Sequence, residues 1–383
     1  MLSLLLYDLT GIRLFQDRLF RAGAASLFAA LIVFLLMPRF IAFLRRMDAT
    51  SDFEQGKAPP PPILGGMLVV AAVIAAGLAF SRWNAYSIST LVILTAYAVI
   101  GGVDDLMKVR NKRLVAQGKI TRADYQEKAD GISARLRLAL YFLFSLAVAV
   151  FAYKFIPGLS GHVTLPFIKP ELWFPHLPNW AFIALICLVI ASTANGANFT
   201  DGMDSLVSVP LITTTLFAGV VAYISGNAIF AKYFLIPHLP GGDELAPICG
   251  AMVGGLLAYL WYNSPPAEVY MGDAGAIGLG GAVGVMFVLL KIELFLPLVG
   301  LVLVLEMASV VLQISGFKIT RNLSPEKQGR RIFLRAPLHH HYQFKWKDRF
   351  PTPQALNSKL IWRFHLVSIL ALIFGLLVFF KLR

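Results

Sequence analysis

Ten stretches of this chain are so apolar that, taken together, they exceed what one water-soluble core can hold. They run at roughly 22–43, 63–80, 87–103, 136–156, 180–197, 206–225, 247–262, 274–290, 295–315 and 360–380. A helix needs about 20 mostly apolar residues to cross the hydrocarbon layer, where the backbone must satisfy its own hydrogen bonds. All ten qualify, some only with tilt, and polar residues crowd the ends of the fifth and seventh. Only 14% of residues are charged, against roughly a quarter in a soluble domain. The expected fold is an all-α polytopic membrane protein of about ten transmembrane helices, in a single integral-membrane domain over 1–383. No tandem repeat, low-complexity tract or separate soluble domain is visible. "PPPP" at 59–62 reads as a stiff lead-in to the second span. Cys187 and Cys249 both fall in apolar stretches, which argues against a disulfide or a zinc cluster. The first apolar run exceeds the apolar core of a secretory signal and lacks a small-residue cleavage site.

Basic residues sort by side. The connections after spans 1, 3, 5, 7 and 9 hold 23 of the 34 Lys and Arg, all within 39–61, 104–137 and 316–359. The connections after even spans hold one each: Arg82, Lys169, Lys232 and Lys291. The positive-inside rule then places the odd connections in the cytoplasm and both termini on the periplasmic side. Arg13, Arg18 and Arg21 in the N-terminal arm run against this count. A net charge of +13 in such a chain orients loops and meets anionic lipid. The lipid bilayer is therefore the expected partner, and nucleic acid is not.

The polar motifs obey the same parity. "GGVDDLMK" (101–108) closes span 3 and "NGANFTDGMDS" (195–205) closes span 5. "YNSPPAEVYMGDAG" (262–275) lies between spans 7 and 8, and "LRAPLHHHYQFKW" (334–346) follows span 9. Carboxylates at the edge of apolar spans are costly and are functional candidates by default. Asp104, Asp105, Asp201, Asp204 and Asp273 supply hard oxygen donors with no soft ligand beside them. That set suits Mg²⁺, which binds one or two carboxylates plus substrate phosphates. Acids, lysine and Mg²⁺ together are the usual equipment of phosphoryl transfer. Each motif alone has an ordinary explanation: "DD" before a lysine ends many helices, and "TDG" is often a plain turn. A secondary transporter is the rival from another class, but its acids would lie near mid-span and its halves would show inverted repeats.

Taken as a set, these motifs resemble the polyprenyl-phosphate N-acetylhexosamine-1-phosphate transferase superfamily, over about residues 20–380. "GISARLRL" (131–138), "LEMASVVLQ" (305–313) and the Pro-Leu-His-His-His run add to the likeness, and the last is similar to the muramoyl-pentapeptide branch. The resemblance implies transfer of phospho-MurNAc-pentapeptide from UDP-MurNAc-pentapeptide to undecaprenyl phosphate in a bacterial cytoplasmic (inner) membrane, with Mg²⁺ as cofactor. It admits a homodimer, and a sister transferase using UDP-GlcNAc is the alternative. It also implies roles. Asp104 and Asp105 match the aspartate pair, the first as a base near the lipid phosphate, and Lys108 matches an invariant lysine. Asp273 matches the metal ligand, and His339, His340 and His341 match the histidines near the diphosphate. Asn198, Asp201 and Asp204 match the groups around the nucleotide, Tyr270 an aromatic on uracil, and Gln313 a glutamine near the nucleoside. Asn263 joins the substrate-binding set. Departures are Lys57, one residue out of register in "KAPPPPILGG", Arg137 for a usual lysine, Ala276 for a serine and Ser205 for a glycine. The stretch 111–130 is longer than usual and reads as an amphipathic excursion at the membrane surface. Three adjacent imidazoles cannot face one point, because neighbours on a helix diverge by about 100°.

The charge count makes a topological prediction. Single cysteines at Gln117 and Gln328 should resist a membrane-impermeant thiol reagent in intact cells and react after permeabilisation. Ready labelling of either in intact cells would overturn the orientation.

Overall fold

The computed structural model describes residues 2–50, 60–119, 131–168, 175–324 and 327–381. Lys57 and residues 120–130 of the long third connection lie outside them. The described chain is helical: α1 (Leu2–Thr10), α2 (Arg18–Arg46), α3 (Gly65–Phe80), α4 (Ala85–Ala116), α5 (Ala134–Phe155) and α6 (Asn179–Thr200) come first. Then follow α7 (Ser208–Ser225), α8 (Leu245–Asn263), α9 (Gly272–Leu289), α10 (Leu301–Leu323), α11 (Leu338–Lys345) and α12 (Pro353–Lys381). Among the described residues nine helices are long and apolar enough to cross a membrane.

The tenth expected span is the short one. Helix α3 has 16 residues, about 24 Å at 1.5 Å per residue, less than the hydrocarbon thickness of about 30 Å. Its start is set by tertiary bonds. Leu64 sits at φ +78, and the N–H groups of Gly65 and Gly66 donate to the carbonyls of Tyr270 and Met271 at 2.8 and 2.9 Å. The helix therefore begins inside the protein, against the loop that carries Asp273. Other helices outrun their apolar stretches. Residues 104–116, expected in a connection, continue α4, and 316–323 continue α10. Asp104, Asp105 and Lys108 thus ride on one rigid helix. Its start is fixed by a reciprocal cap, with Asn84 and Ser87 each accepting the other's backbone N–H at 3.0 Å.

Helix α9 is the axis of the bundle. Every residue from Ala274 to Leu289 is buried, as expected for a helix that is apolar on all faces. Helices α3, α4, α6 and α7 pack around it. Small residues let the backbones meet, the usual solution where lipid removes a hydrophobic drive between helices. A Cβ on Gly280 would press on Ala197 and Thr193 of α6, and one on Gly278 on Ala98 of α4. Helices α2, α5, α10 and α12 present large apolar side chains outward, among them Leu27, Leu143, Leu312 and Leu370, the faces that lipid would cover.

The contrary arginines of the N-terminal arm are explained at the end of the bundle opposite the polar motifs. Arg21, 2% exposed, donates to both oxygens of Glu244 at 2.7 and 2.8 Å and to the Phe80 carbonyl at 3.1 Å. Arg18 pairs with Asp243. Two of the three charges are neutralised by acids at the start of α8, so they add little to the positive charge of that side. The pair also ties α2, α3 and α8 together, and Arg82 donates its backbone N–H to the same carboxylate at 2.8 Å. Removing one member of such a pair strands a buried charge at a cost of about 3–5 kcal/mol. Arg21→Ala should therefore lower the melting temperature of the purified protein clearly. Arg21→Met with Glu244→Leu should lose less than the sum of the two single changes; strict additivity would show that the pair is not coupled.

Candidate active site

The polar motifs converge where α4, α6 and α9 meet. Two glycines permit the approach. A Cβ on Gly101 would overlap the Asp273 backbone, so α4 and α9 could not close. Gly272 has φ +76, and a Cβ there would lie 2.8 Å from an Asp105 oxygen.

Lys108 is the centre of the arrangement. Its Nζ lies 2.8 Å from Asp104 Oδ2, one turn earlier on α4, and 2.8 Å from Asp273 Oδ2, on the first turn of α9. Arg137 of α5 repeats the bridge at 3.4 and 3.5 Å to the same two oxygens. Asn198, on the last turn of α6, donates to Asp273 Oδ1 at 2.7 Å. Asp104 also accepts from the Ile132 N–H at 2.7 Å. Asp105 turns the other way and accepts from the Ala274 N–H at 3.1 Å, holding the start of α9. Asp201 follows α6 and senses Asp273 and Asp105; burial first, and then those two charges, push its carboxyl up to about 8.

The four carboxylates are not equivalent. The side chains of Asp104 and Asp105 are buried, whereas that of Asp273 is 18% exposed. Of these three, Asp273 is the one placed to meet something from outside. Among the described residues no three acids, histidines or cysteines form a protein-only metal cage. A hard cation that takes one carboxylate and fills its remaining positions with water and phosphate fits this donor set; a zinc or calcium cage does not.

The histidine run lies on α11, and its three rings go three ways. His339 is buried, with Nδ1 at 3.1 Å from Glu306 Oε2 of α10 and its ring against Gly202 of the 201–204 turn. His340 Nδ1 lies 2.7 Å from Gln343 Oε1, and Gln343 donates to Asn357 of α12 at 2.9 Å. Burial, and then His339 beside it, hold the His340 imidazole below its ordinary value. His341 Nδ1 accepts from the Leu334 N–H at 3.2 Å. Of the three rings, that of His339 is the one against the 201–204 turn.

Other residues expected at the substrate are engaged with backbone. Asn263, 2% exposed, accepts from the Ser205 N–H at 2.9 Å and donates to the Val269 carbonyl at 2.9 Å. Gln313 Oε1 accepts from the N–H groups of Ile332 and Phe333 at 3.1 and 2.9 Å. Asp204 accepts from the Ala267 N–H at 3.1 Å. These three brace loops around the site. Tyr270 is half-buried, and its backbone joins Pro62 and Gly65. Ser205, where the resemblance expects glycine, adopts φ +58, the left-handed region that glycine enters without strain. Two residues escaped the sequence reading. Arg137 stood only as a departure, although a cation beside "DD" was a visible signal. Glu306 is a lone acid in an apolar span, which is itself a signal.

The sequence profile described as Glycosyl transferase family 4 matches residues 87–291, the segment that runs from α4 to just past α9. A Campylobacter curvus protein named phospho-N-acetylmuramoyl-pentapeptide-transferase is 35% identical over 375 residues, 96% of both chains. A Helicobacter pylori protein of the same name is 33% identical over 384 residues, 98% of this chain and 99% of its own. One from Nitratiruptor is 32% identical over 380 residues, 97% of each. The chain belongs to glycosyl transferase family 4 and, within it, to the phospho-N-acetylmuramoyl-pentapeptide-transferase family.

Proposed function

We propose that this phosphoglycosyl transferase moves phospho-MurNAc-pentapeptide from its UDP carrier to undecaprenyl phosphate and releases UMP. The membrane would be the bacterial cytoplasmic membrane, with the site on its cytoplasmic face and both termini outside. The observation that carries this reading is the pair of cations, Lys108 and Arg137, held between Asp104 and Asp273 at the end of an apolar bundle. Such a place suits two phosphate-bearing substrates, one arriving from water and one from lipid.

In the reaction an oxygen of the lipid phosphate forms a bond to the β-phosphorus of the nucleotide sugar. The bond from that phosphorus to the bridging oxygen breaks, and the electron pair leaves with UMP. Lys108 and Arg137 offset phosphate charge and align the two groups. Asp104 is already saturated by Lys108, Arg137 and the Ile132 N–H. Its work is to hold those cations, and a phosphate monoester, largely ionised at neutral pH, needs little from a base. Asp273 is the residue that would hold Mg²⁺, which supplies charge neutralisation for the leaving phosphate. Asn198 keeps that carboxylate in place. Asp201, Asp204 and Tyr270 line the nucleotide side, with Tyr270 stacking on uracil, while Asn263 and Gln313 shape the loops. An apolar groove of about 320 Å³ between α6 and α10, lined by Thr193, Gly196, Leu303, Met307 and Val311, suits the isoprenoid tail.

Purified protein in detergent with undecaprenyl phosphate and Mg²⁺ should release UMP from UDP-MurNAc-pentapeptide and not from UDP-GlcNAc. Release from UDP-GlcNAc alone would assign the sister activity; release from neither would sink the transferase reading. Asp273→Asn keeps the shape and removes the charge, and it should abolish nearly all turnover without unfolding the protein. Turnover within about tenfold of wild type, roughly 1.4 kcal/mol in the barrier, would rule out an essential ligand. Tyr270→Ala should raise KM for the nucleotide sugar more than it lowers kcat. An unchanged KM would leave Tyr270 as an interface-belt residue.

A further inference from the structure

A carboxylate inside an apolar spanning helix is costly and persists only with partners. Glu306 is fully buried in α10, a helix whose other faces are mostly open to lipid. Among the described residues its carboxylate bonds all go to one residue. The His339 backbone N–H lies 3.1 Å from Oε1 and 3.4 Å from Oε2, and the ring Nδ1 lies 3.1 Å from Oε2. A carboxylate only accepts, so Nδ1 carries the hydrogen and the ring is held in one orientation. The far nitrogen, Nε2, is buried and has no hydrogen-bond partner among the described residues. It lies directly against Gly202, an exposed residue between Asp201 and Met203. A Cβ at that position would overlap the ring. An unmet buried nitrogen costs about 1–3 kcal/mol, and such exceptions call for an explanation.

We propose that Glu306 is a positioning residue that acts through His339, locking its imidazole so that the Nε2 lone pair is presented to the Asp201–Asp204 turn, where an O–H or N–H group of the nucleotide sugar donates to it. This rests on the functional reading above, which puts the nucleotide sugar beside that turn. His340 and His341 do not meet Glu306: their Nδ1 atoms are engaged by Gln343 and by the Leu334 N–H.

Glu306→Gln tests the lock. Glutamine keeps the shape but has one acceptor oxygen. With that oxygen on the His339 N–H, the amide NH₂ faces Nδ1 and reverses the tautomer. Histidine-selective ¹⁵N spectra of the full chain, which has seven histidines, would report this, with His339 assigned by its loss in His339→Gln. The expected result is an Nδ1–H signal in the wild type, its loss in Glu306→Gln, and a melting temperature within a few degrees. UMP release should show kcat reduced on the order of 100-fold, KM for the nucleotide sugar within about threefold, and no further loss when Glu306→Gln is added to His339→Ala. An unchanged Nδ1–H signal in Glu306→Gln, near-normal kcat, or an equal loss in the His339→Ala background would overturn the proposal. The tautomer measurement needs no turnover, so it judges Glu306 even in a protein that released no UMP, a result that would count against the functional reading instead.

Discussion

The site depends on one ammonium group. Four aspartates lie together at the end of a bundle that is otherwise apolar. Two opposite charges 4 Å apart interact by about 4 kcal/mol at an effective dielectric of 20, and like charges repel as strongly. Lys108, 2.8 Å from both Asp104 and Asp273, offsets that repulsion, and Arg137 seconds it from α5. A site balanced in this way is ready for more negative charge only if more positive charge comes with it. That is the condition met when a diphosphate arrives with a divalent cation.

The fold holds these charges rigidly. Helix α9 runs through the centre with no lipid-facing side, and its first turn carries Asp273. Its glycines bring α4 and α6 close enough for Lys108 and Asn198 to reach the same carboxylate from two directions. Helix α3 is short because its first turn is spent on the Tyr270–Met271 backbone, which fixes the loop before Asp273. At the other end Arg21 and Glu244 clamp α2, α3 and α8, so movement of the helix ends is restrained far from the acids.

Much of this was legible in the residues. Apolar length located ten helices, nine of them long enough to span among the described residues, because crossing a bilayer sets a minimum apolar length. Parity brought four distant motifs to one face before any contact was known. What stayed hidden was contact between side chains and remote backbone. Nothing around Asn263 or Gln313 in the sequence says that their partners are the N–H groups of Ser205 and of Ile332 and Phe333. The helical extent of 104–116 was missed for a related reason: charge density there resembles a loop, whereas packing on α9 and the capped start of α4 carry the helix onward. The triple histidine showed the geometric limit of sequence reasoning. Helical spacing forbade a common target for the rings, and only the fold assigned His339 to the 201–204 turn and gave its neighbours to Gln343 and Leu334.

The central claim is that Asp273, rather than its buried neighbours, meets the cation that accompanies the diphosphate. Crystals of the protein grown with Mn²⁺ and the UDP-sugar, with undecaprenyl phosphate withheld, would locate that ion by its anomalous scattering. The account predicts a single peak at bonding distance from an Asp273 carboxylate oxygen and from the diphosphate, with Asp104 still held by Lys108. A peak bound to Asp104, Asp105 or Asp201 without Asp273, or bound nucleotide with no ion between it and the acids, would contradict it.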